Sequence, residues 1–368
     1  MKSFKDLIKE VHKKGICQQC GGCVSFCNSI EHQVIGFKNP NSPPTYLNRD
    51  KCLKCGLCYL ICPQTHVLEE EINKTYKFSD FSKMPLGFFY NIYSCQAIDK
   101  DLLNYGTDGG VVNSLLNFLL EKEWIDGAIV AKTLAPFSRE VMIARNKEDL
   151  IKSSGIRLDI APQLDEIQKF HTYTNSLPKL RQYQFKKLAV VGTPCQIYTI
   201  RCMQNLGIVP SQNIEYCFGL FCYENFFFDR SQVDKFENDF NLKFEDIEKI
   251  NIKEDLIISL KDKGRGKKTI HIPFDELNEY MRTACYACED FTNIYADISF
   301  GGLGSPEKYT TILPRTEKGR SIILKAIKAE IIKCNHLNLS AKEHITALIS
   351  DYCFSKVKRK INFNKIKN

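Results

Sequence analysis

Two short cysteine runs near the start of the chain constrain it most: Cys17-Gln-Gln-Cys20-Gly-Gly-Cys23-Val-Ser-Phe-Cys27 and Cys52-Leu-Lys-Cys55-Gly-Leu-Cys58-Tyr-Leu-Ile-Cys62-Pro63. Both follow C-x2-C-x2-C-x3-C, the spacing with which bacterial two-cluster proteins hold [4Fe–4S] cubanes. The first three cysteines of such a run wrap one cluster from a tight loop, and the fourth crosses to the other cluster. One cluster is therefore expected on Cys17, Cys20, Cys23 and Cys62, and a second on Cys52, Cys55, Cys58 and Cys27. Zinc is the competing reading, but structural zinc sites usually separate two close cysteine pairs by a longer spacer. Crossed ligation sets two clusters side by side, which suits electron transfer.

The chain has 368 residues, enough for two or three domains, and is 43% hydrophobic and 26% charged. No run of 18 apolar residues suggests a transmembrane helix, so any membrane contact would be peripheral docking. Met1 to Lys14 is charged and lacks the apolar stretch of a secretion signal, so a cytoplasmic location is expected. In that compartment the seventeen cysteines point to metal ligation. The formal charge of +8 invites a nucleic-acid reading. Each oxidised cluster with its four thiolates carries roughly −2, however, so three would bring the loaded protein to about +2. No nucleic-acid partner is expected. The basic stretch Lys356, Lys358, Arg359 and Lys360 reads as a solvated end rather than a docking patch.

Residues 1–15 read as an amphipathic helix bearing Phe4, Leu7, Ile8 and Val11 on one face. The ferredoxin-like unit follows, with Asn39 to Pro44 as a turn-rich insertion between its two cluster loops. Residues 69–85 are polar and read as a linker. Beyond it, helical patterns at Val111 to Trp124, Lys147 to Ile151, Gly192 to Gln204 and Arg320 to Leu337 alternate with strand patterns. The strands are read at Ile125 to Lys132, Val141 to Ala144, Leu188 to Val191, Ile214 to Cys222, Ala296 to Phe300 and Thr310 to Leu313. Asp255 to Leu260 and Thr269 to Pro273 read as a hairpin around a basic turn. The fold expected is an α+β ferredoxin-like two-cluster domain followed by an α/β body.

Four later cysteines sit in loop-like contexts: Cys195 in Gly-Thr-Pro-Cys, Cys222 in Gly-Leu-Phe-Cys, and the pair Cys285-Tyr-Ala-Cys288. A cysteine opening a helix has its thiolate near backbone N–H groups, which favours the charged form. These four could hold a third [4Fe–4S] cluster; a zinc site or a redox-active C-x-x-C dithiol would use the same residues. Cys95, Cys202, Cys217, Cys334 and Cys353 read as core or surface thiols, with Cys217 the first substitute ligand among them.

A family resemblance rests on several stretches in a fixed order. They are Thr107-Asp-Gly-Gly-Val-Val112, Ile125-Asp-Gly-Ala128, Val191-Gly-Thr-Pro-Cys-Gln196, Gly219-Leu-Phe-Cys-Tyr-Glu-Asn-Phe226, Cys285-Tyr-Ala-Cys-Glu-Asp-Phe291 and Tyr295-Ala-Asp-Ile-Ser-Phe-Gly301. Over roughly residues 87–335 the chain resembles the coenzyme F420 hydrogenase/dehydrogenase beta-subunit family. That resemblance implies bound FAD, a third cluster on Cys195, Cys222, Cys285 and Cys288, and a two-cluster domain fused at the N-terminus. It divides the chain into a two-cluster domain at 1–68, a linker at 69–86 and a flavin-binding body. The N-terminal part of the body spans 87–180, the C-terminal part with the third cluster 181–335, and a helical basic tail 336–368. Where the family often carries a Ser-Gly-Ser-Lys-Tyr-like segment, this chain has Ser153-Ser-Gly-Ile-Arg-Leu158, and Cys27-Asn28 replaces a usual Cys-Pro.

No G-x-G-x-x-G follows a strand and opens a helix, so a Rossmann site is not supported; Gly301-Gly-Leu-Gly304 lacks the spacing. The flavin would need another cradle. Asp108, Gly109 and Gly110 could present backbone N–H groups to a phosphate, although a plain helix cap fits the same residues. Given the resemblance, Ser153, Ser154, Gly155, Arg157, Gly192 and Thr193 are further flavin candidates at strand ends. Lys132 and Arg157 are the expected contacts for the anionic tail of F420.

The function expected is an F420-dependent oxidoreductase subunit with no catalytic side chain beyond the flavin. Electrons would pass between reduced coenzyme F420, FAD, the third cluster, the two ferredoxin-type clusters and a protein partner or larger redox complex, in either direction. FAD belongs in the middle because it handles both hydrides and single electrons. The alternative is a ferredoxin-dependent iron–sulfur flavoprotein that reduces an organic substrate, similar to 7-hydroxymethyl chlorophyll a reductase. A flavin-free electron-transfer subunit is the third reading.

Overall fold

The computed structural model describes every residue except 28–32, 39–41, 136–137, 156–185, 209–210, 227, 229, 263, 265, 267 and 368. At the N-terminus a helical turn, Phe4–Leu7, continues through Ile8–His12. The 3.6-residue repeat buries Phe4, Leu7 and Val11 together with Val24, Val34, Ile35 and Tyr59 in a small core. The helices Gly22–Cys27 and Leu57–Leu60 carry cysteines of the two runs. Strands β1 (Ile35–Gly36) and β2 (Thr45–Tyr46) pair between them.

The stretch read as a linker is packed structure. Glu69–Thr75 is a helix whose Ile72, with Phe78 and Phe81, is buried in the body's core. Glu70, Glu71 and Lys74 face outward, which is why the stretch reads as polar.

The body is built on one eight-stranded sheet. Its strands are β3 (Tyr93–Ala97), β4 (Gly127–Ala135), β5 (Ser138–Ala144), β6 (Leu188–Gly192), β7 (Ile214–Leu220), β11 (Ile298–Gly301), β12 (Thr310–Pro314) and β13 (Ile332–Cys334), in the order β13-β3-β12-β11-β7-β6-β4-β5. The central four, β11, β7, β6 and β4, run parallel, and the flanking pairs are antiparallel. Alternate side chains feed two cores, one on each face. Ile129, Leu188, Val190 and Cys217 meet Ile197, Ile200 and Met203 of the helix Pro194–Asn205. Ala128, Val130, Ala189, Val191 and Phe218 meet Leu115, Leu116 and Leu119 of the helix Val111–Glu121 and Ile322, Ile323 and Ala326 of the helix Glu317–Lys328. The sheet is thus buried on both faces, as parallel strands require.

Between β7 and β11 the chain builds a smaller unit with its own core, including Phe236, Leu256, Ile258 and Tyr280. The expected hairpin, β9 (Leu256–Leu260) and β10 (Thr269–Ile272), is joined by β8 (Ile247–Ile252) into a three-stranded sheet. The helix expected over Arg320 to Leu337 stops at Lys328. Glu330 takes a positive φ of 54°, which reverses the chain and lets β13 pair with β3. That register sets Cys334 opposite Cys95, and the two form a disulfide, correcting their reading as free thiols. The chain closes with a long helix, Leu339–Lys367. Among the described residues no helix is long and apolar enough to cross a membrane.

Candidate redox site

The four parallel strands end at one rim. Val130 and Ala131 of β4, Val191 and Gly192 of β6, Leu220 with Phe221 and Cys222 after β7, and Phe300 to Gly302 at β11 line a single cleft there. Its volume, open mouth included, is about 1550 Å³. This is where open α/β sheets bind ligands, outside the carboxyl ends of the strands. Gly106 to Asp108, Gly110, and Ser153 to Gly155 form one wall, and Thr193 stands beside Gly192. Ile252, Lys253 and Phe274 of the smaller unit and Tyr352 of the long helix complete the lining.

The Thr107–Gly110 turn is shaped by close packing. Gly109 donates its N–H to Thr310 Oγ1 at 2.9 Å, and a Cβ there would lie 2.6 Å from the Cys95 carbonyl oxygen. Gly110 has φ 65°, and its Cβ would lie 2.3 Å from the Leu102 carbonyl. Only glycine fits either position. Gly109 therefore sits behind the wall while Gly110 opens the helix Val111–Glu121, whose N-terminus faces the cleft. The plain-cap reading of Asp108 is not met, because that helix has no side-chain cap. The carboxylate instead packs where a Cβ on Gly302 would stand, 2.7 Å from its Oδ2. Burial raises Asp108 to about 6, with Lys253 and Lys249 drawing it back down.

Of the expected flavin contacts, Asp108, Gly110, Ser153, Ser154, Gly155, Gly192 and Thr193 share this lining. Lys132, one residue beyond Ala131 on β4, is not in it, and Arg157 lies outside the described residues. The aromatic wall of Phe221, Tyr223, Phe274, Phe291 and Tyr352 was not anticipated, nor was Lys253.

The cysteines sort into three groups. Burial is the main force raising Cys23, Cys27, Cys62, Cys195 and Cys222, and the next causes identify their neighbours. Cys17 and Cys20 act on Cys23, and Cys20 and Cys17 on Cys62. Cys58, Cys55 and Cys52 act on Cys27. Cys62 thus neighbours Cys17 and Cys20 of the first run as well as Cys58, and Cys27 neighbours the second run, the proximities that crossed ligation would need. Cys222 is pushed up to about 12 by burial, with Lys356 lowering it and Cys285 and Cys288 raising it. Cys195 is raised by burial, then by Cys20, Cys222 and Cys288. Its place at a helix N-terminus does not win: Thr193 Oγ1 lies 3.2 Å from the sulfur and draws the value down, but desolvation of the buried thiol outweighs it. Cys217, considered as a substitute ligand, belongs instead to the core beside Arg201 and Asp297.

The groups also lie in a row, because Cys195 senses Cys20 and Cys23 senses Cys58. Cysteines gathered in groups of four are the donor set that an iron–sulfur cluster would take. Among the described residues no three His, Cys, Asp or Glu side chains close on a single metal ion. Asn225 serves the third group twice, donating Nδ2–H to Cys222 Sγ at 3.1 Å and its backbone N–H to Cys285 Sγ at 3.4 Å.

The basic tail is not a solvated end. Lys356 is buried, and its Nζ donates to the Cys222 carbonyl at 2.6 Å and the Asp290 carbonyl at 2.7 Å. Arg359 pairs with Glu224 at 2.7 Å and lies over the Tyr223 ring, and Lys360 pairs with Glu289. Lys358 alone of the four is exposed.

Comparison with known proteins agrees with this geometry. Residues 92–168 match the model of the N-terminal part, and 185–339 that of the C terminus, of the coenzyme F420 hydrogenase/dehydrogenase beta subunit. Coenzyme F420 hydrogenase subunit beta of Methanothermobacter thermautotrophicus is 30% identical over 68% of this chain and 85% of its own. The chain belongs to the coenzyme F420 hydrogenase/dehydrogenase beta-subunit family. It is thus a member of a family of oxidoreductases. A 4Fe-4S binding domain matches at 45–64, over the second cysteine run. The coenzyme F420-dependent sulfite reductase of Methanocaldococcus jannaschii is 30% identical over 86% of this chain, which spans only 46% of that protein. A chain of the F420-reducing [NiFe] hydrogenase complex from Methanosarcina barkeri superposes with a TM-score of 0.64 at 26% identity, covering 76% of this chain and 92% of that one.

Proposed function

We propose that this family member is an F420-dependent oxidoreductase subunit in which a flavin cleft is wired through three [4Fe–4S] clusters to a redox partner. The observation that carries the reading is Cys222, which is both cleft wall and a member of the third cysteine group. From there Cys195 lies near Cys20, and Cys23 near Cys58, giving a continuous series of cysteine groups. When bound, FAD supplies hydride exchange on one side and single-electron exchange on the other.

The chain's own residues do the rest. The N-terminus of the helix Val111–Glu121 and the glycine turn before it offer N–H groups to a diphosphate. Ser153, Ser154, Gly155, Gly192 and Thr193 stand where the ring system and its sugar would be held. Lys253, in the lining with Lys249 close to Asp108, is better placed than Lys132 for the anionic tail of F420. The aromatic wall excludes water between the cleft and the third cysteine group. Cys195, Cys222, Cys285 and Cys288 hold the inlet cluster, Cys17, Cys20, Cys23 and Cys62 the middle one, and Cys52, Cys55, Cys58 and Cys27 the outlet. Cys55 is exposed, which suits transfer to another protein.

The test is to mix anaerobically prepared protein with reduced F420 and an artificial one-electron acceptor. Recovery of oxidised deazaflavin absorbance is expected. Protein that holds FAD yet never reacts with reduced F420 would overturn the substrate and favour an organic-substrate reductase.

A further inference from the structure

The long C-terminal helix begins where the family-model match ends, at residue 339. Its inward stripe runs Ile345, Ile349, Cys353, and then, at the next inward position, Lys356. A buried ammonium is costly unless something offsets its charge. Arg359 and Lys360 on the same helix have carboxylates to pair with, Glu224 and Glu289. Among the described residues no carboxylate lies within ion-pair distance of Lys356; its hydrogen bonds go to two backbone carbonyls, of Cys222 and Asp290. Those carbonyls belong to a proposed cluster ligand and to the loop two residues past Cys288. The groups facing it are the thiols of Cys222, Cys285, Cys288 and Cys353, the Asp290 carboxylate, and the Glu224 carboxylate with the Arg359 guanidinium, those last two already paired with each other.

We infer that Lys356 is the charge partner of the third iron–sulfur cluster, a positioning residue that raises the potential at which this cluster accepts an electron. The inference rests on the reading of Cys195, Cys222, Cys285 and Cys288 as its ligands. A cubane with four thiolates carries about −2 when oxidised and about −3 after one electron, with no proton required. A cation fixed beside it, shielded from water, stabilises the more negative form more strongly. Net charge and hydrogen bonding are the levers by which a protein sets a cluster's potential. Arg359 steadies the arrangement by donating to the carbonyls of Tyr223 and Cys285.

The experiment is an anaerobic redox titration of the full chain, followed by electron paramagnetic resonance. Lys356→Met, Lys356→Arg and Arg359→Gln are compared with the unaltered protein. In Lys356→Met the signal of one cluster should move to lower potential by at least a tenfold change in its reduced-to-oxidised ratio, about 59 mV for one electron. The other two should not move, and Lys356→Arg should restore most of the shift. An unchanged potential with all clusters retained would overturn the inference. If Lys356→Met loses four irons, Arg359→Gln decides: a lowered potential of the same cluster supports the role, and an unchanged one refutes it. Unaltered protein with two clusters only would refute the ligand assignment itself, a distinguishable failure.

Discussion

Asp108 shows how one residue's setting can be read chemically. Its neighbours leave it protonated below about pH 6 and charged above, because burial outweighs Lys253 and Lys249. The charged form places a carboxylate in the cleft with an anionic diphosphate. FAD binding to flavin-stripped protein should therefore weaken as pH rises through about 6, by about tenfold, equivalent to ~1.4 kcal/mol. In Asp108→Asn the dependence should flatten. Flavin fluorescence quenching across that range measures it, and an unaltered slope in the variant would reject the role. Cys285 gives a second test. Cys285→Ala should remove one cluster, lowering iron from about twelve to about eight per chain, and leave FAD bound. Loss of all iron would show instead that the three groups are not independent.

At the scale of elements, the buried pair Arg201–Asp297 ties the helix Pro194–Asn205 to the β7–β11 end of the sheet. The ions meet at 3.0 Å, almost wholly buried. Asp297 also accepts from the Cys217 N–H at 2.8 Å and from Thr316 Oγ1 at 2.8 Å. Asp297→Ala strands a buried guanidinium, and a loss of about 3–5 kcal/mol is expected. Anaerobic urea unfolding would show it as a lowered midpoint, whereas a shift within ±0.5 kcal/mol would mark the pair as dispensable.

The central parallel strands were legible in the sequence because they are nearly continuous apolar runs bounded by glycine and proline. Strand β3 was not, because its inward positions include the buried polar residues Ser94 and Gln96. Strand β8 was hidden by a register shift between Ile247 and Lys249, which breaks the two-residue alternation. The cleft's glycine turn was visible as a motif. Its aromatic wall, assembled from Phe221, Phe274, Phe291 and Tyr352, was not, since those residues meet only through the topology. Lys356 was misread because a charge run does not reveal which of its members turns inward; the four-residue spacing of Ile345, Ile349, Cys353 and Val357 was the available signal.

In the whole molecule, the sheet delivers four strand ends to one cleft, and the two cysteine runs dock behind it. Contact between the parts includes Ile61, buried in the body's core, and the cysteines themselves: Cys20 Sγ lies 3.5 Å from Thr199 Oγ1, which donates to the Cys195 carbonyl at 2.8 Å. Thr199 sits one helical turn past Cys195, so the helix Pro194–Asn205 serves both groups. Under the proposed function the N-terminal unit is the end of the series remote from the cleft, with the third cysteine group between. The central claim is that one chain carries a flavin and three cubanes. Iron, sulfide and flavin counted on anaerobically prepared protein test it most directly. The account predicts about twelve iron, about twelve sulfide and one FAD per chain; about eight iron, or protein that cannot take up FAD, would contradict it.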